Sequence, residues 1–264
     1  MDYTNFDYQL ADNIARITIN RPKSYNALDL ESTREFCDIT KRCSTDSSVR
    51  AVILTGAGNK AFCAGGDVAS FAKDPATVDE LIREITGFLH TAISLLAEMN
   101  APVIAAVNGV AAGAGLSLAA CSDLAIASDN TSFTSAYTLI GLTPDGSSTH
   151  YLPRLIGRRR AMELYLTNRS LSAQEALEWG LINRVVSQAD LQNEVDQLAY
   201  QLAAGPTLAY GGVKRLLMTS LTDTLEAQMA REARQIAELS KSRDGLEGVK
   251  AFVEKRKAVF SGRT

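Results

Sequence analysis

Two stretches of this chain join a continuously apolar run to a glycine-rich turn, and few folds accommodate that pairing. Val49-Arg50-Ala51-Val52-Ile53-Leu54-Thr55 runs into Gly56, and Pro102-Val103-Ile104-Ala105-Ala106-Val107 runs into Asn108-Gly109-Val110-Ala111-Ala112-Gly113-Ala114-Gly115. Runs without polar alternation suit strands buried on both faces, as in sheets covered by helices. Ile14 to Asn20 alternates like a half-exposed strand, and Asp123 to Ala127 reads as a fourth. Helical stretches fall between them, from Asp29 to about Thr45, Val78 to about Met99, and Gly113 to Cys121. The recurring strand, strand and helix carries no sequence repeat, but it suggests stacked turns in a mixed α/β fold.

After about residue 157 the chain turns helical. Ser172-Ala-Gln-Glu175 is a capping box that opens a short helix closed by Gly180, and Gly205-Pro206 puts a proline where a helix can begin. Thr222 to Ser240 and Asp244 to Phe260 read as two more helices. The chain therefore divides into a core over 1–200 and a helical region over 201–264. Leu216, Leu217, Met218, Leu221 and Leu225 of that region must bury against the core or another subunit.

Composition removes several functions. A chain of 264 residues buries roughly 70–75% of its unfolded surface, so a sizeable core is available. With 27 basic against 30 acidic residues and no basic stripe, nucleic acid is not expected as a partner. Arg158-Arg159-Arg160, a basic triplet, reads as a solvated face or a phosphate clamp. The acidic N-terminal stretch and the lack of any run of about 18–20 apolar residues point to a cytoplasmic protein that does not enter a membrane. Cys37, Cys43, Cys63 and Cys121 show no CxxC spacing, and His90 and His150 stand far apart, so no metal site is expected. Gly56-Ala57-Gly58-Asn59-Lys60-Ala61 fits a loose dinucleotide fingerprint, but no helix follows it at once.

The glycine-rich turns are the candidates for chemistry. Ala61-Phe62-Cys63-Ala64-Gly65-Gly66-Asp67 follows the first buried strand closely, and Asn108 to Gly115 leads straight into a helix. Small residues let backbone approach a ligand, and a helix start leaves N–H groups unpaired. If Ala64 and Ala114 each aim an N–H at one point, the pair forms an oxyanion hole for charge developing on a carbonyl oxygen. The alternative is close helix packing, and the residues alone leave both open.

NRPKSYNAL (Asn20 to Leu28), AFCAGGDV (Ala61 to Val68), PVIAAVNGVAAGAGLSLA (Pro102 to Ala119), PRLIGRRRAMEL (Pro153 to Leu164) and FVEKRKAVF (Phe252 to Phe260) resemble, in order and over nearly the whole chain, the crotonase, or enoyl-CoA hydratase/isomerase, superfamily. The resemblance implies a crotonase-like superhelix of stacked β-β-α turns with a C-terminal helical trimerisation region, assembled as a homotrimer or hexamer. It implies an acyl-CoA thioester substrate, so coenzyme A belongs to the substrate and no separate cofactor is required. The enolate oxygen would lie between N–H groups at the positions of Ala64 and Ala114. Lys23 and the backbone near Ala27 match residues lining the coenzyme A path. Ala64, Gly65, Gly66, Asp67 and Val68 match its pantetheine and adenine contacts, and Gly113 and Tyr137 join the substrate-binding set. Phe252 and Lys255 match residues that reach coenzyme A from a neighbouring subunit.

The reaction turns on carboxylates. The resembling hydratases use two glutamates on a water molecule, and those positions here hold Ser117 and Tyr137. A carboxylate appears instead at Asp145, in Gly141-Leu-Thr-Pro-Asp-Gly-Ser147, where the ordinary hydratase has glycine. By local composition Pro-Asp-Gly is a turn tripeptide. By resemblance it matches the 1,2-epoxyphenylacetyl-CoA isomerase group, in which such an aspartate shuttles a proton between carbons of the acyl chain. One carboxylate suffices for that, since the base that removes a proton can return it as an acid. The 4-chlorobenzoyl-CoA dehalogenases also carry aspartate there, and His90 falls where they place a histidine, although they have tryptophan where Tyr137 stands. A hydratase-like activity or a non-catalytic acyl-CoA-binding subunit are the remaining readings. Cys63 is read as structural.

Overall fold

The computed structural model describes residues 3–262. β1 (Phe6–Ala11) and β2 (Ile14–Ile19) form an antiparallel hairpin turned by Asp12 and Asn13, both at positive φ, a conformation that Asp and Asn tolerate. Only Phe6 of β1 is buried, so this edge strand has no apolar pattern to read. A 3₁₀ turn at Pro22–Ser24 leads to α1 (Leu30–Thr45), where Asp29 and Ser32 cap each other's backbone N–H groups.

Three spiral turns follow. The first is β3 (Ala51–Gly56), β4 (Ala61–Cys63), α2 (Val68–Phe71) and α3 (Val78–Glu98). The second is β5 (Val103–Val107), β6 (Val110–Ala112) and α4 (Ala114–Cys121). The third is β7 (Leu124–Ser128), β8 (Ser132–Thr134), a 3₁₀ turn at Tyr137–Ile140 and α5 (Ser148–Ile156). Then come α6 (Arg158–Thr167), β9 (Leu171–Ser172), α7 (Ala173–Trp179), β10 (Arg184–Val186) and α8 (Leu191–Ala203).

The first strand of each turn enters a six-stranded sheet, β1-β2-β3-β5-β7-β10, parallel from β2 onward. The second strand enters a four-stranded sheet, β4-β6-β8-β9. Each β-β corner thus carries the chain from one sheet to the other, which is the crotonase superhelix. Buried asparagines staple the corners. Asn108 Nδ2 donates to the carbonyls of Gly56 and Gly58 at 2.7 and 2.8 Å, and Asn26 Nδ2 donates to those of Ala57 and Ala61 at 3.0 and 2.8 Å.

The main core fills the space between the sheets and α1, α3 and α4. The opposite face of the larger sheet is covered by α8, whose Leu191, Val195, Ala199 and Ala203 recur at helical spacing over Ile53, Ile104 and Ile126. Burying a side chain such as Val195 contributes about 2 kcal/mol. α7 begins with the expected Ser172–Glu175 box and ends at Gly180 in the left-handed region.

The last helices are α9 (Thr207–Thr219), α10 (Leu225–Leu239) and α11 (Arg243–Val253). The helix expected to reach Phe260 stops at Val253, because Lys255 turns the backbone to φ 54°. The tail then folds back: Val259 N–H donates to Glu247, and Ser261 and Gly262 N–H donate to the two oxygens of Asp244 at 2.7 and 2.8 Å. Leu217, Leu221 and Leu225 stay about two-thirds exposed, so they do not bury on the chain's own core. Arg158, Arg159 and Arg160 lie on the surface, with Arg160 stacked 4.9 Å from the Trp179 ring. No helix among the described residues is long and apolar enough to cross a membrane.

Candidate active site

The two glycine-rich turns meet. β4 and β6 pair in parallel, with Cys63 opposite Ala111, so the turns that follow them leave the sheet side by side. At Gly115 a Cβ would lie 2.0 Å from the Cys63 carbonyl oxygen, so only glycine permits this approach. Gly65, at φ 102°, sits against the Gly113–Ala114 peptide, its Cβ position 3.4 Å from Ala114 N.

The backbone bonds decide which N–H groups remain for a ligand. Ala64 N–H donates to the Tyr25 carbonyl at 3.0 Å, so it is spent and does not supply the donor assigned to it from sequence. Leu28 N–H donates to Gly65 O at 2.7 Å and Asp67 N–H to Leu28 O at 2.8 Å, which pins the peptides on either side of Gly66. Among the described residues the Gly66 and Ala114 N–H groups have no acceptor, and both residues line one cavity. The donor of the first turn is therefore Gly66, two residues after Ala64. Ala114 opens α4, whose first N–H groups are free by construction.

That cavity holds about 460 Å³ and is walled mostly by hydrocarbon, with Val68, Phe71, Ile85, Leu89, Leu139 and Ile140 among its lining. Among the described residues Asp145 is its one carboxylate. The Tyr137 hydroxyl donates to Asp145 Oδ1 at 2.6 Å, and Ser117 Oγ lies 3.1 Å from the Tyr137 oxygen. Burial, and then the neighbouring Asp145 charge, push the Tyr137 phenol above its ordinary range, so it stays a donor. The backbone of Asp145 is held as well: its carbonyl accepts from Ser148 N–H at 3.2 Å, Ser148 Oγ at 3.0 Å and Ser117 Oγ at 3.1 Å. Gly146 N–H donates to His90 Nε2 at 3.2 Å. Asp145 is thus fixed from α3, α4 and α5.

The positions that hold glutamates in hydratases bring no carboxylate here. Ser117 and Tyr137 meet each other and Asp145 instead.

The remaining predicted residues divide. Ala64, Gly65, Gly66, Val68, Gly113 and Tyr137 line the cavity. Asp67 does not; it pairs with Arg21 at 3.2 Å, and Arg21 also holds Asp29 at 2.6 Å and the Ala27 carbonyl. Lys23 is exposed on its 3₁₀ turn, and Phe252, 85% exposed, and Lys255 lie outside the cavity lining. Burial pushes the Cys63 thiol up to about 12, which leaves no nucleophilic thiolate. Sequence reasoning missed the Arg21 clamp and the staples Asn26 and Asn108. Their signal is a polar residue in an otherwise small or apolar motif, such as the asparagine that ends the run from Pro102.

The profile of the family described as Enoyl-CoA hydratase/isomerase matches residues 9–263. A 4-chlorobenzoyl coenzyme A dehalogenase from Arthrobacter sp is 39% identical over 88% of this chain and 86% of its own. The 1,2-epoxyphenylacetyl-CoA isomerase of Escherichia coli is 38% identical over 95% of both. Among solved structures, an enoyl-CoA hydratase from Bacillus anthracis superposes with a TM-score of 0.92 at 33% identity, over 98% of this chain and all of that one. The chain belongs to the enoyl-CoA hydratase/isomerase family and is an acyl-CoA enzyme of it.

Proposed function

We propose that this enzyme is an enoyl-CoA isomerase that moves a carbon–carbon double bond of an acyl-CoA thioester, acting in the cytoplasm with no cofactor beyond the coenzyme A of its substrate. Asp145 takes a proton next to the thioester carbonyl, and the N–H groups of Gly66 and Ala114 bind the enolate oxygen that results. Asp145 then returns the proton to the far end of the conjugated system. One observation carries this reading: among the described residues Asp145 is the sole carboxylate in an apolar cavity that also presents two unspent backbone N–H groups. Hydration by paired glutamates has no counterpart at Ser117 and Tyr137. The test is turnover of a 3-enoyl-CoA by Asp145→Asn, expected to fall by about 10²–10⁴-fold with acyl-CoA binding retained. Unchanged turnover would sink the proposal.

A second reading has one observation in its favour, the His90–Gly146 contact beside Asp145. In dehalogenation Asp145 would attack an aryl carbon, chloride would leave, and His90 would activate water against the resulting ester. The same contact weakens it, because the Nε2 lone pair is already taken by Gly146 N–H. Chloride release from 4-chlorobenzoyl-CoA, lost in His90→Gln, would establish this reading over the first.

The exposed Leu217, Leu221, Leu225 and Ile236 of α9, α10 and the turn between them support a homotrimer or hexamer. Assembly would also give Lys255 and Phe252 a neighbouring substrate to reach, the role the resemblance gives them. Light scattering that finds a monomer would remove that role.

A further inference from the structure

We propose that Tyr137 is a positioning residue: its hydroxyl occupies one oxygen of Asp145, so that the other oxygen alone carries the proton from one carbon of the acyl chain to the next. The inference rests on the isomerase reading above and adds to it a rule for where the proton goes.

The geometry leaves little freedom. A carboxylate only accepts, so the single proton of the Tyr137 hydroxyl points to Oδ1, 2.6 Å away. With that proton committed, the Tyr137 oxygen can only accept from Ser117 Oγ, 3.1 Å away, whose single proton is also within reach of the Asp145 and Gly113 carbonyls. Oδ2 of Asp145 has no hydrogen-bond partner among the described residues, and Asp145 lines the cavity. Among the described residues only two titratable side chains, Asp145 and Tyr137, line that cavity, and the nearby imidazole of His90 is bonded to the Gly146 backbone. Burial holds the phenol in its protonated form, so Tyr137 does not take up the migrating proton.

The step balances without a co-reactant. Oδ2 removes the proton at C2 of a 3-enoyl thioester, and the C–H electron pair moves into the dienolate, whose oxygen rests on the N–H groups of Gly66 and Ala114. The new carboxylic O–H stays on Oδ2, because Oδ1 is held by Tyr137. It then protonates C4 while the thioester carbonyl reforms. Without the Tyr137 hydroxyl the carboxyl group is free to rotate, and water can enter the vacated space and exchange with its proton.

The experiment follows a 3-enoyl-CoA through a single turnover in D₂O and measures deuterium at C4 of the product by mass spectrometry. The wild-type product is expected to keep most of its original hydrogen. Tyr137→Phe, which preserves the ring, is expected to raise the deuterium content several-fold and to lower kcat about tenfold, with KM within about twofold, as for loss of a hydrogen bond to a charged group. In an Asp145→Asn background the same substitution is expected to do nothing further, whereas an independent substrate contact would add. Full solvent deuterium in the wild-type product overturns the inference even if the variant does not fold. So does a Tyr137→Phe enzyme with wild-type kcat and isotope content. If Asp145→Asn itself turns over normally, it is the isomerase reading that has failed.

Discussion

Two aspartates stand in the third spiral turn, one just before its first strand and one just before its helix, and their partners differ in kind. Asp123, just before β7, faces Lys214 Nζ at 2.7 Å and accepts Val103 N–H at 2.7 Å. Asp145, after the 3₁₀ turn, faces a neutral hydroxyl and, among the described residues, no cation within ion-pair distance. Lys214 is itself buried and completes its bonding on the carbonyls of Leu96 and Ala101, which ties α9 to the end of α3 and the start of β5. A carboxylate matched to a cation and a backbone donor holds structure together. One given a single hydroxyl and an apolar cavity keeps an oxygen for chemistry.

Perturbing each aspartate in turn puts this contrast at most risk. Asp145→Asn is expected to abolish turnover, by the 10²–10⁴-fold already argued for general acid–base catalysis, while the melting temperature stays near wild type. Next in size is Lys214→Met, which strips Asp123 of its cation and leaves the Leu96 and Ala101 carbonyls without their donor. Breaking a buried pair from one side costs about 3 kcal/mol, so chemical denaturation should show the loss directly. A Lys214→Met protein as stable as wild type would mean that α9 is held by its apolar contacts alone.

Much of the fold and the importance of Asp145 were legible in the sequence, whereas the Asp123–Lys214 pair, a contact between distant segments, was not. The buried strands and the helices α1, α3 and α4 follow from apolar runs, and the cap at Ser172 from local chemistry. β1 is an edge strand with one buried side chain, so its sequence carries no period. The stop at Val253 depends on tail N–H groups finding Asp244 and Glu247, a tertiary event. At the site, Asp145 stood out because a carboxylate replaced a glycine expected from the resemblance. The shift from Ala64 to Gly66 was invisible, since Cys63 to Gly66 are all small and the bond that spends the Ala64 N–H comes from Tyr25, far back in the chain. The role of Tyr137 was hidden too, because a tyrosine in a binding cavity reads first as substrate contact.

The smallest expected effect tests the structural member of the pair through pH. Asp123→Asn keeps an oxygen for Val103 N–H and for Lys214 but removes the compensating charge. Burial already pulls the Lys214 ammonium below its ordinary value of 10.5, and Asp123 is the main group opposing that shift. In the variant the native state therefore gives up the Lys214 proton earlier as pH rises, while the unfolded chain keeps it up to about 10.5. Between those two points the unfolded state binds more protons, so stability climbs with pH. Each unit of separation is worth about 1.4 kcal/mol. In a protein of this size that is roughly 2–4 °C of melting temperature for each kcal/mol. The variant should melt below wild type at pH 7, with the gap narrowing toward pH 10. A gap that stays constant across that range would show that Lys214 does not titrate there, and that Asp123 serves α9 by hydrogen bonding alone rather than by charge.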